Sequence, residues 1–197
     1  QGSAVNHDGH ARTVTTPSRS AQRAMLQDAL DDAGLEPHQV DYVETHGTGT
    51  PLGDPIEVMA IARVLCEDRT DPLYLGSVKT NVGHLDSAAG IVGLMKVVLS
   101  LQHDTIPPHL NYCEPNRHIP WDEWPLKVPT ENTPWTGEAR FAGISAFGMS
   151  GTNVHLIVGQ APPPVSTSKL AAPTPSDVTP SDATPADHLL TLSAQAP

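Results

Sequence analysis

The chain has 197 residues and a formal charge of −11, and it is 38% hydrophobic but only 4% aromatic. That length accommodates one well-buried domain or a large part of a bigger one, with a core resting on Val, Leu, Ile, Ala and Met. The charge argues against nucleic acid or an anionic membrane as a partner, since both want clustered Lys and Arg, and no apolar run is long enough to span a bilayer.

Taken in chain order, residues 18–33 form the first expected helix. Ala21, Met25 and Ala29 recur at i+4, as do Leu26 and Leu30, and Gly34 supplies the stop. Residues 40–45 read as a short strand. Asp54-Pro55-Ile56-Glu57 marks a second helix start, with Asp54 as cap, Pro55 where its missing N–H costs nothing, and Glu57 reaching back as in a capping box. Residues 73–78 form a second strand, ending at a loop that begins with Lys79. Residues 87–103 are apolar on nearly every side, which predicts a buried helix, with Gly90 and Gly93 allowing close backbone approach. Residues 104–136 are crowded with proline and read as an irregular surface excursion. Residues 141–145 and 153–158 form a final strand pair joined by a glycine-bearing loop. The alternation predicts a layered α/β domain over residues 1–160 with a central buried helix. A Pro-rich linker covers 161–187, where Pro, Ser, Thr and Ala cannot bury enough apolar surface to order the chain. A fresh apolar run over 188–193 opens the last segment, 188–197. With Gln1 at the start and Pro197 at the end, both ends read as cuts through a longer polypeptide.

Three loops carry candidate chemistry. His46 sits in Thr45-His46-Gly47-Thr48-Gly49-Thr50, where the glycines permit unusual backbone angles and the Thr48 and Thr50 hydroxyls can meet a ligand. A lone histidine after a strand is ordinarily a satisfied structural residue, but this flank and the helix start behind it favour function. His84 closes Lys79-Thr80-Asn81-Val82-Gly83-His84, whose plainer reading is a helix-entry turn with Lys79 paired to a carboxylate. Two neutral imidazoles aimed at one point can donate to an oxygen that gains negative charge, and a cationic Lys79 would help keep the nearby His84 imidazole neutral. Gly143, Gly148 and Gly151 surround Phe147, suggesting a mobile gate whose N–H groups could form an oxyanion hole. Ten histidines invite a zinc hypothesis, yet they lack ligand spacing, and no loop matches a nucleotide fingerprint. No metal is therefore expected. Cys66 and Cys113 lack the surroundings of an activated thiolate, and their scarcity fits a reducing, cytoplasmic compartment.

Together these loops resemble the β-ketoacyl synthase (ketosynthase) family, in particular the ketosynthase domains of modular polyketide synthases. The resemblance rests on the run from Glu44 to Glu57, the run from Gly76 to His84, and the run from Gly143 to His155, with Gly2-Ser3-Ala4-Val5-Asn6 and Asp8-Gly9 also fitting. It implies a thiolase-like fold, layered αβαβα, of which the chain would be the C-terminal half. The implied activity is acyl transfer by decarboxylative Claisen condensation, between a cysteine-bound acyl chain and a malonyl-type extender on acyl carrier protein. By that resemblance His46 and His84 would stabilise the enolate with Lys79 behind them. Thr48 and Thr50 would contact the phosphopantetheine arm of the carrier, and Phe147 with Gly148 would form gate and oxyanion hole. The chain itself would bind no cofactor. Implied partners are acyl carrier protein, a Cys-bearing N-terminal half, a second copy in a homodimer, and an adjacent acyltransferase domain. The family's nucleophile motif is absent here, so the chain alone would be inactive. The rival expectation is a non-catalytic remnant or carrier-protein docking module.

Overall fold

The computed structural model describes residues 1–9 and 16–162. The expected linker over 161–187 lies almost wholly outside the described residues, and the segment 188–197 lies outside them entirely.

The first strand, β1 (Gly2–His7), has no counterpart among the expected elements, because its apolar Val5 points to solvent and the usual alternation is weak. Helix α1 (Arg19–Ala33) starts where the Ser18 side chain accepts the Ala21 N–H. It stops at Gly34, which takes the left-handed conformation (φ 64°) and donates to Leu30 and Asp31. Strand β2 (Val40–Glu44) and helix α2 (Gly53–Leu65) follow, then β3 (Leu73–Gly76) and the short α3 (Lys79–Val82). Helix α4 (Ala89–Gln102) leads to β4 (Thr105–Ile106), β5 (Leu126–Lys127) and β6 (Thr133–Pro134), before β7 (Phe141–Phe147) and β8 (Thr152–Gly159).

Six strands make one sheet in the order β1-β8-β7-β2-β3-β5, while β4 and β6 pair separately. β1, β8 and β7 run antiparallel, whereas β7, β2, β3 and β5 are mutually parallel. A register irregularity between Val40 and Tyr42 puts Val40 and Val43 on the same face despite their odd spacing. That face packs against α1 and α2, through Met25, Leu26, Leu30, Ile61 and Leu65. Tyr42, Ala142 and Ile144 face the other way and meet Val97 and Leu101 of α4. The result is helix, sheet, helix.

Four expectations need correction. α4 is not buried on all sides: Gly93, Val97 and Leu101 face the sheet, but Ile91, Met95 and Leu99 are about half exposed, because no other described element packs on that side. The capping box at α2 does not form. Thr50 Oγ1 already accepts the Gly53 N–H and Asp54 accepts that of Gly49, so Glu57 turns elsewhere. The loop around Phe147 is a tight hairpin turn, in which the surrounding glycines do not all supply unusual backbone angles. Gly148 N–H donates to Thr152 and Gly151 N–H to Gly148, and within the turn only Gly151 has positive φ. Gly143 serves close packing instead, since a Cβ there would lie 2.6 Å from His155 Nε2. Finally, residues 104–136 are not all surface, for Ile106, Ile119, Leu126 and Trp135 are buried.

Candidate functional site

Parallel strands deliver their carboxyl ends to one edge of a sheet, where the loops can converge on a ligand. β2 runs into His46, β3 into the turn that begins with Lys79, and β7 ends at Phe147. The His46 ring centroid lies 5.6 Å from that of His84, edge to face, and 5.1 Å from the Phe147 ring. A cavity of about 370 Å³ opens here, lined in part by His46, Thr48, Thr50, His84, Phe147 and Gly148.

The backbone sets the tautomer of both imidazoles. His46 Nδ1 accepts the Phe147 N–H at 3.2 Å, and His84 Nδ1 accepts the Asp86 N–H at 3.2 Å. Each neutral ring must then carry its proton on Nε2 and act there as a donor. Burial pushes the His46 pKa down to about 4, and the charges of Lys79 and His84 push the same way. It is a neutral donor at pH 7, not an acid.

Behind His46 stands Glu57, whose carboxylate accepts the N–H groups of His46 and Gly47 at 2.7 and 3.0 Å. Burial raises its pKa to about 7 even though those two bonds oppose the shift. Lys79 is half-buried in the field of Glu44, Glu57 and Asp54; desolvation still wins and lowers its pKa. The expected pairing of Lys79 with a carboxylate is thus a shared field of three.

The structure brings His46, His84, Thr48, Thr50 and the Phe147 ring to one cavity, with Lys79 in electrostatic reach of His46. It does not support Phe147 and Gly148 as oxyanion donors, because the first N–H is held by His46 and the second by Thr152. Neither cysteine lines the cavity. Cys66 is buried in the core with its thiol pushed up to about 11, and Cys113 is exposed.

Two features have no counterpart among the sequence expectations: the Glu57 clamp, and a buried cluster of Glu44, Tyr42 and Lys96 beneath the loops. A signal for the cluster exists in the chain. Glu44 ends an otherwise largely apolar strand, and Lys96 is the one charged residue in α4. Charges in such places need partners.

Among families of known proteins, residues 1–113 match the model of the β-ketoacyl synthase C-terminal domain, and residues 115–196 match the ketoacyl-synthetase C-terminal extension. A highly reducing polyketide synthase of Aspergillus terreus is 48% identical over 78% of the chain, which spans 6% of that protein. A mycocerosic acid synthase-like polyketide synthase of Mycobacterium tuberculosis is 49% identical over 89% of the chain, which spans 8% of it. The ketosynthase from module 6 of the bacillaene synthase of Bacillus subtilis superposes with a TM-score of 0.78 at 40% identity, covering 83% of this chain and 30% of that one. An oxazolomycin ketosynthase domain of Streptomyces albus gives 0.78 at 36% identity, covering 83% and 31%.

Proposed function

This chain belongs to the β-ketoacyl synthase family, as the C-terminal half of a polyketide-synthase ketosynthase domain with a thiolase-like α/β fold, and on that premise we propose that it supplies the enolate-stabilising side of a decarboxylative condensation centre. The observation that carries this reading is the pair His46 and His84, 5.6 Å apart, each with Nδ1 capped by a backbone N–H and Nε2 left to donate.

The chemistry needs such a pair. Loss of carbon dioxide from a malonyl-type thioester breaks a C–C bond and leaves its electrons on an enolate, with negative charge on the thioester oxygen. Donors fixed in advance stabilise that charge without reorganising, and each is worth on the order of 10²–10³ in rate. Burial, helped by the charge of Lys79, keeps His46 uncharged, so the ring remains a donor that does not compete as a proton source. The enolate carbon then attacks the acyl thioester and expels the thiolate that carried it. That thiolate belongs to a cysteine on the N-terminal half of the domain, since neither Cys66, buried as a thiol, nor the exposed Cys113 lines the cavity.

The extender arrives on the phosphopantetheine arm of acyl carrier protein. Thr48 and Thr50, which line the cavity with His46, bond that arm, and the Phe147 ring packed on His46 gates the path to the cysteine. The complete domain pairs as a homodimer beside an acyltransferase domain.

His84→Ala in the complete synthase should abolish carbon dioxide release from a malonyl-type extender while leaving cysteine acylation largely intact. Carbon dioxide release at the normal rate from that variant would overturn the role of His84.

A further inference from the structure

Beneath the donor pair, Glu44 is buried with Tyr42 and Lys96 in a cluster that the condensation chemistry does not touch. Glu44 Oε2 accepts the Tyr42 hydroxyl at 2.5 Å and Lys96 Nζ at 2.9 Å, and Lys96 Nζ also donates to the Tyr42 oxygen at 2.8 Å. The other carboxylate oxygen, Oε1, crosses from β2 to β3 and accepts the Val78 N–H at 2.5 Å. Val78 opens the turn that carries Lys79 and leads to His84, while Glu44 itself stands two residues before His46. One carboxylate therefore joins the entries to both histidine-bearing loops.

The fold makes room for this join. A Cβ on Gly76 would lie 2.5 Å from the Tyr42 hydroxyl, and one on Gly93 would lie 3.2 Å from Glu44 Cγ. Side-chain exposures of 9% for Lys96 and 3% for Glu44 make the ion pair a poor source of stability, because desolvating both charges offsets their attraction. Its geometry is better explained by what it holds.

We propose that Glu44 is a positioning residue: clamped by Lys96 and Tyr42, it holds the Val78 N–H and so sets the approach of His84 to His46. This rests on the reading of the two histidines as the donor pair.

Two double variants of the complete synthase separate the anchor from the charges. Lys96→Met/Glu44→Gln and Lys96→Met/Glu44→Met both remove the buried ion pair without stranding one partner, but only glutamine retains an acceptor for Val78. The glutamine variant should decarboxylate within about threefold of the wild type, whereas the methionine variant should fall roughly 10- to 100-fold with cysteine acylation unchanged. Amide exchange over residues 77–84 should be faster in the methionine variant alone. Equal decarboxylation and equal exchange in the two doubles would overturn the proposal, as would acylation falling in step with decarboxylation. A His84→Ala control that still decarboxylates would instead sink the donor-pair reading, and the exchange comparison would still decide whether Glu44 anchors the turn.

Discussion

Replacing Glu57 with glutamine tests the electrostatics behind His46 without emptying any space. Glu57 is 3% exposed, and its carboxylate holds two N–H groups, yet burial carries its pKa from 4.5 to about 7. A folded-state pKa above the unfolded one means that the native chain binds the proton more tightly. Stability from this group is therefore fully present below pH 4.5 and is lost as pH rises to about 7. At about 1.36 kcal/mol per pH unit that loss is roughly 3 kcal/mol. Glutamine resembles the protonated acid and does not titrate, so a comparison with wild type in the complete ketosynthase domain cancels every other ionising group. Urea unfolding at pH 4.5 should find the variant less stable by about 1 kcal/mol, because one N–H loses its acceptor. By pH 8 the variant should be the more stable by about 2 kcal/mol, after roughly 1 kcal/mol is subtracted for the N–H that loses its acceptor. A stability difference that stays flat between these pH values, or runs the other way, would mean that burial does not govern this carboxyl. Condensation should nonetheless slow, since one amide oxygen cannot hold both the His46 and Gly47 N–H groups.

Gly143→Ala drives a Cβ to 2.6 Å from His155 Nε2, and His155 is wholly buried with Ser145 on its other nitrogen, so the variant should lose about 1–3 kcal/mol in a thermal melt. An unchanged melting temperature would show that β8 yields more easily than its packing implies. Under native conditions at pH 8, iodoacetamide should leave Cys66 unmodified in peptide mapping, because the thiol is buried and its pKa is raised to about 11. Rapid labelling of Cys66 in the folded protein would contradict its place in the core.

Much of the site is legible in the chain because it depends on local pattern. Apolar pattern in residues 18–33 and 73–78 marks helix and strand, the strand itself ending at Gly76, and glycines at 47 and 49 mark the turn after β2, where both take positive φ. Periodicity failed where burial depends on what lies opposite. The apolar content of α4 does not reveal that Ile91, Met95 and Leu99 face away from the sheet, and the Asp54–Glu57 spacing suits a capping box that Thr50 pre-empts.

The chain alone is enough to identify which residues could do chemistry: two histidines, a lysine and two threonines at the ends of strand-like runs. The His84 tautomer is set locally by the Asp86 N–H, but the tautomer and charge state of His46 come from contacts made across the fold. The bond that sets the His46 tautomer comes from Phe147, 101 residues later, and the one that anchors the Lys79 turn joins Val78 to Glu44, 34 residues earlier. The His46 pKa is set by burial and by charges across space, and parallel strand order, not spacing along the chain, brings those groups together.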